Sequence, residues 1–365
     1  MTTAGPFVLW LDQAEGGSTE LVGGKCSSLS EMVRAGFGVP PAFGVTTNAF
    51  WTFMGQDGLT ERARELRAQL DPADLPAVER ASADITARIE ATPMPAAVAE
   101  ELTRAYADLC ARAGIDQLPV AVRSSGVAED LEGASFAGQY ETYLWVTGAD
   151  AVIEHVRRCW TGLFGPQVLT YRPNGGLAGR DDAPAQPMGV AVQQMVAARA
   201  AGVMFTLDPV TGDRAKIVIE GAWGLGEAVV SGLVTPDRYR LDKVTLELLE
   251  SNVAEKSQEF RFEPGAGVGL RDVPAERQTQ PALTDEQAVA LATLAKRIER
   301  HRGAPQDIEW AVDEDGNVHV LQVRPETVWS GKARESIATG RSAMDMVMGK
   351  FMAGAAPASG RQTST

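Results

Sequence analysis

Short apolar runs that stop abruptly at polar residues limit what this chain can fold into. Residues 119–123 read as a buried-type strand, and the run ends in Arg123-Ser124-Ser125. An arginine and two hydroxyls in that place are poorly explained by packing, and the ends of such strands are where α/β folds place ligand contacts. Similar strand-like runs occur at residues 7–10, 43–46, 142–146, 188–195, 201–206, 216–220, 236–242 and 245–250. Helical patterns alternate with them. Residues 27–35 carry Leu29, Met32 and Val33 on one face, and 149–164 read as a further helix. Thr284 starts an amphipathic helix ending near His301, with Ala288, Leu291, Leu294 and Ile298 in its stripe. Residues 60–113, rich in Ala, Glu, Arg and Leu, give helices broken at Pro72, Pro76, Pro93 and Pro95. Residues 308–312 and 318–323 form a hairpin around Asp315-Gly316, whereas 124–139 and 263–281 read as loops. The expected class is α/β (α+β) with two lobes, residues 1–185 and 186–329, divided near the polar stretch 172–187. A tail, 330–365, is expected to be partly disordered, its last dozen residues small and polar.

Composition narrows the function. Hydrophobic residues make up 44% and charged residues 22% of the 365, as in a soluble globular enzyme. The net charge of −14 argues against nucleic acid as a main partner, because phosphate backbones need clustered Lys and Arg. Cys26, Cys110 and Cys159 are far apart and odd in number, so neither a disulfide framework nor a zinc site is indicated. No basic segment followed by an apolar run opens the sequence, and no stretch approaches the length of a membrane span. The expected location is cytoplasmic.

Several polar groups remain that packing does not account for. Gly23-Gly24-Lys25 precedes a helix, where backbone N–H groups and an ammonium can meet an anion; equally, Gly-Gly there is an ordinary turn. Arg123 either contacts a ligand or caps its strand by pairing with Glu129 or Asp130. Residues 133–140 resemble a glycine-rich flap around Phe136. Gln193-Gln194-Met195-Val196 ends a strand that could line a base pocket or simply terminate. Residues 220–227 read as a Gly-rich loop with an exposed Trp223 and the carboxylates Glu220 and Glu227, or as a structural turn over a core Trp. Glu309 and Gln322 fall on paired strands of the last hairpin with Arg324 further along the same face; the plainer reading is a surface hairpin with a salt bridge. Carboxylate and amide oxygens suit Mg²⁺, which takes few protein ligands beside substrate phosphates, and an arginine can hold a phosphate bidentately. His155, His301 and His319 lack the Thr/Ser/Gly-rich surroundings of a phosphorylated histidine and read as structural.

Gly-Gly-Lys, Ala-Val-Arg-Ser-Ser, Ala-Ser-Phe-Ala-Gly-Gln, Phe-Thr-x-Asp-Pro-Val-Thr and the final Glu and Gln-x-Arg-Pro together resemble the N-terminal ATP-binding domain of the phosphoenolpyruvate synthase and pyruvate phosphate dikinase family, over about residues 5–328. Rifampicin phosphotransferase is similar in this region. The resemblance implies a form of ATP-grasp fold using ATP and Mg²⁺. It implies that Lys25, Arg123 and Arg324 bind phosphates and act in catalysis. Gly138 and Thr142 would contact the nucleotide, Gln193 would lie by the adenine, and Glu309 and Gln322 would hold the metal. In the family ATP is cleaved to AMP and phosphate, and the β-phosphoryl group passes through a histidine on a swivelling domain to a final acceptor. This sequence stops before such a domain, so the expected partner is a separate histidine-bearing subunit, as in phenylphosphate synthase, with phenol or pyruvate as possible acceptors. The alternatives are an ATP-grasp ligase or kinase making ADP, and a non-catalytic nucleotide-binding regulatory subunit.

Overall fold

The computed structural model describes residues 5–127, 141–170 and 187–329. The chain divides into a compact unit ending at Thr327 and a second unit, Val328–Thr365, of which two residues are described. The expected tail therefore lies outside the described residues, as does the stretch where the lobe boundary was expected.

The first sheet gathers β1 (Val8–Trp10), β2 (Ala42–Val45), β3 (Val120–Gly126), β4 (Thr142–Val146) and β5 (Met188–Gln194) in the order β1-β2-β5-β3-β4, every pair antiparallel. β3 runs to Gly126, so Ser124 and Ser125, expected in a loop, are sheet residues: both pair with β5. β5 was expected with the C-terminal lobe but is central to this sheet. The chain passes from one sheet to the other between Gln194 and Ala198, because Val190 and Val192 are fully buried in the first core. That core is closed by α2 (Thr47–Met54), α3 (Leu59–Gln69), α4 (Leu75–Ala91), α5 (Ala96–Ala113), α6 (Ala149–Thr161) and α7 (Pro166–Thr170). Pro76 does not break a helix. It sits in the first turn of α4, where its missing N–H costs nothing, behind an Asp74 cap that accepts from the Ala77 N–H.

The second sheet is formed by β6 (Ala198–Phe205), β7 (Lys216–Trp223), β8 (Asp237–Asp242), β9 (Leu248–Asn252), β12 (Gln306–Asp313) and β13 (Val318–Pro325), in the order β13-β12-β6-β7-β8-β9. Helix α10 (Asp285–Arg302) covers it with Ala288, Leu291, Ala292, Ala295 and Ile298. A capping box between Thr284 and Gln287 starts that helix, and Gly303 in the left-handed region stops it. β11 (Gly267–Asp272), which pairs with β10 (Gln258–Glu263), and the short α9 (Ala275–Gln278) fall within residues 263–281, which were expected as a loop. Gly265 and Gly267, at φ 83 and 72, make the turn between these strands. Trp223, read either as exposed on a loop or as a core residue, is 5% exposed at the end of β7, with its ring in the second core and its N–H donating to the Arg277 carbonyl.

One helix touches both sheets. α1 (Thr19–Arg34) places Val22, Cys26 and Leu29 against the first sheet, while Met32 joins the second core. Its Ser28 hydroxyl donates to the Val323 carbonyl of β13 and accepts from Arg302. This shared helix fixes where Lys25 stands with respect to both sheets. Among the described residues no helix is long and apolar enough to cross a membrane.

Candidate functional site

Gly23 does not precede α1; it interrupts it, at φ 79 and ψ 172. A Cβ there would lie 2.0 Å from the Ser125 carbonyl oxygen, so only glycine lets the helix approach the end of β3 this closely. The Ser125 hydroxyl accepts from the Cys26 N–H at 3.2 Å, and the Ser124 hydroxyl donates to the Glu141 carbonyl at 3.0 Å. Both hydroxyls after Arg123 therefore build the scaffold: one seats the Gly-Gly-Lys turn, the other the entry to β4.

The expected hairpin register is realised. Glu309 lies opposite Gln322 and Asp307 opposite Arg324 across β12 and β13. Period-2 alternation turns Glu309 and Gln322 away from the α10 side, where Ile308 and Val323 are buried. They face the first sheet, and Arg123 spans the gap. Its Nη1 donates to the Leu321 carbonyl at 3.0 Å, and its Nη2 donates to Glu309 Oε2 at 2.7 Å and Gln322 Oε1 at 2.6 Å. The capping pair with Glu129 or Asp130 falls on residues outside the described set. Arg324 donates from Nε to Asp307 Oδ2 at 2.8 Å.

A cavity of about 530 Å³ opens between the sheets, lined by Lys25, Arg123, Thr142, Gln193, Glu309, Gln322 and Arg324. The structure thus brings together seven of the eight expected site residues; Gly138 and the flap lie outside the described residues. Leu144, Val196, Leu225, Val230 and Leu321 supply the apolar wall. Gln193 is 2% exposed, and its side-chain N–H₂ has no hydrogen-bond partner among the described residues. The Arg123 Nε is buried and without a partner in the same way. Buried donors are almost always paired, so two unused ones on one cavity call for acceptors from a ligand.

The electrostatics follow from the same packing. Burial opposes ionisation of Glu309, but Arg123 and Arg324, the hydrogen bond from Arg123 and the charge of Lys25 outweigh it and hold the carboxyl below its usual range. Glu227, on the short helix α8 (Glu227–Val230), also lines the cavity; burial first, then the charge of Glu309, raises its pKa against the pull of Arg123. Burial raises that of Asp307 too, with Arg324 opposing. Sequence reasoning gave no role to Asp307 or Glu227. Asp307 stands two residues before Glu309 on the same strand, and that period was a usable signal. Glu227 was singled out with Glu220 in its Gly-rich loop, but nothing local tied it to the cavity.

The arrangement suits a metal-bridged polyanion. One Arg123 nitrogen sits within hydrogen-bond reach of both Glu309 and Gln322, so these oxygens already converge on one cation position. Among the described residues no group of three or more His, Cys, Asp or Glu could hold a metal. Two convergent oxygens beside three cations match Mg²⁺ carried in by phosphates rather than a protein-only cage.

A family profile described as "Pyruvate phosphate dikinase, AMP/ATP-binding domain" matches residues 19–344. A probable phosphoenolpyruvate synthase of Staphylothermus marinus is 42% identical over 350 residues, covering 89% of this chain and 42% of the relative. A rifampicin phosphotransferase of a Streptomyces species is 41% identical over 325 residues, covering 89% of this chain and 36% of the relative. The chain thus spans less than half the length of either protein. Among solved structures, the ATP-grasp ligase PsnB is similar at 10% identity with a TM-score of 0.27, too distant to bear on this chain. The chain belongs to the pyruvate phosphate dikinase AMP/ATP-binding domain family.

Proposed function

We propose that this chain binds Mg-ATP between its two sheets, in an ATP-grasp-type arrangement, and cleaves it to AMP and phosphate. In this reading the β-phosphoryl group leaves on a histidine of a partner subunit, which then phosphorylates a final acceptor such as phenol or pyruvate. The observation that carries the reading is the convergence of Lys25, Arg123, Arg324, Glu309 and Gln322 on one cavity. None of the chain's three histidines lines that cavity, which favours an acceptor histidine elsewhere: His155 contacts the Ala151 carbonyl, His301 pairs with Glu31 and His319 with Asp313.

Phosphoryl transfer is mostly positioning and charge neutralisation. Lys25, Arg123 and Arg324 offset phosphate charge, and Asp307 holds Arg324 by its Nε. Glu309 and Gln322 present the oxygens for Mg²⁺, which when bound neutralises phosphate charge that Glu309 and Glu227 would otherwise repel. Gln193 offers its unused N–H₂ to a nucleobase acceptor beside Val196 and Leu144.

The test is to incubate the chain with Mg²⁺, β-labelled ATP and native lysate. Label on a second protein, with AMP formed, supports the dikinase reading. ADP without label transfer points to a ligase or simple kinase, and no nucleotide binding at all excludes both.

A further inference from the structure

Arg123 occupies the position that the metal needs. Its Nη2 lies 2.7 Å from Glu309 Oε2 and 2.6 Å from Gln322 Oε1, and its Nη1 holds the Leu321 carbonyl. The Arg123 and Glu309 side chains are only 11% and 17% exposed, so water screens their attraction poorly. We propose that Arg123 is a built-in cation plug which makes uptake of metal and of nucleotide mutually dependent; the proposal rests on the Mg-ATP reading of this cavity.

The coupling follows from charge. A divalent ion arriving alone has to displace the guanidinium from Glu309 and Gln322, leaving Arg123 beside a second cation with only Glu227, whose burial disfavours its charged form, to receive it. A polyphosphate arriving alone can draw Arg123 away only by leaving the Glu309 carboxylate, next to phosphate oxygens, to Arg324 and Lys25, the same cations that the phosphates attract. Each half-exchange strands a charge in a partly buried cleft, which is costly. Arriving together, the metal takes the two oxygens while Arg123 turns its donors, including the unused Nε–H, to phosphate. Two ligands that each remove the obstacle to the other bind with positive coupling. Arg123 joins β3 of the first sheet to the hairpin of the second, so the same exchange replaces a direct link between the sheets by one through the ligand.

The experiment measures Mn²⁺ affinity in the absence of nucleotide, counting free Mn²⁺ by electron paramagnetic resonance on the full chain. The Arg123→Gln chain is expected to bind Mn²⁺ alone roughly tenfold or more tightly than wild type, within the usual range for coupled sites. That gain should vanish in the double variant Arg123→Gln with Glu309→Gln, which places it at this carboxylate. If Arg123→Gln does not fold, Arg123→Lys, which lacks the second arm to Leu321, carries the test with an expected gain of roughly fivefold, the lower edge of that range. Wild-type affinity for Mn²⁺ alone equal to that of the Arg123 single variants overturns the plug. Failure of wild type to bind Mn²⁺ with a non-hydrolysable ATP analogue overturns the nucleotide reading instead, so the two failures are separable.

Discussion

Arg324 shows how one residue's task is set by its cross-strand neighbour. Asp307 lies opposite it and takes its Nε, which fixes the guanidinium plane at the cavity wall. Arg324→Ala is expected to lower AMP formation with the partner present by about a hundredfold or more, the usual cost of removing one preorganised charge-stabilising donor. The chain should still fold, with a lower thermal midpoint because the buried Asp307 loses its partner, and near-normal turnover would remove Arg324 from the phosphate set. Gln193 gives an independent test at the base end. Its N–H₂ is buried and unused in this state, so Gln193→Leu should not weaken the fold, yet it should raise the nucleotide dissociation constant roughly tenfold, the worth of about one net hydrogen bond. Calorimetric titration with an ATP analogue decides it: unchanged affinity would place the base elsewhere. Gln193 was marked by its place at a strand end; its burial on the cavity was not readable, because it depends on Ala42 and Ala121 of neighbouring strands.

Elements carry their own constraints, and two glycines separate backbone strain from packing. Gly23 and Gly36 have nearly the same φ, 79 and 78, but a Cβ at Gly23 meets the Ser125 carbonyl at 2.0 Å while one at Gly36 meets nothing within 4 Å. Gly36→Ala should cost about 1–2 kcal/mol from the left-handed backbone alone. Gly23→Ala should cost clearly more than about 2 kcal/mol, because α1 must also move off β3, and it should weaken nucleotide binding through Lys25. Chemical denaturation of the two variants checks this, and equal losses would contradict the close approach. The last hairpin gives the pH test. Asp313 accepts from the backbone N–H groups of Asp315 and Asn317 and pairs with His319. Burial raises its pKa, but the hydrogen bonds from His319 and Asn317 outweigh this and hold it at about 2 against an ordinary 3.8. A carboxyl depressed in the fold stabilises it above the unfolded pKa, and that contribution is lost as pH falls from about 4 to about 2. Asp313→Asn should therefore flatten the fall of the thermal midpoint across that window; superimposable curves would mean Asp313 contributes nothing there. The hairpin was legible because Asp-Gly between alternating apolar runs is a local signal. The β10–β11 hairpin was not, since its strands carry five glycine or acidic interruptions and lean on Trp145, whose ring stacks on Phe262 at 4.8 Å.

At the scale of the whole molecule, the second sheet is secured by a fully buried ion pair. Lys256 bonds to Asp237 on β8, and Asp237 also accepts from the N–H groups of Ala254 and Ala282, tying two connections to one strand. Lys256→Met would leave the carboxylate buried without its partner and should destabilise by about 3–5 kcal/mol, read as a lower urea midpoint. A shift below about 1 kcal/mol would show that the pair is relieved by water. The sequence alone determined the alternation of strands and helices, the facing of Glu309 and Gln322, and the polar ends of the strands. These depend on periods of two and 3.6 residues and on turn chemistry, all of which are local. Only the tertiary structure decided that β5 lies in the first sheet, that Trp223 is buried, that Gly23 packs on Ser125, and that Arg123 reaches Glu309. Each of these rests on partners distant in the chain, and nothing in a local pattern states which strand will lie beside which.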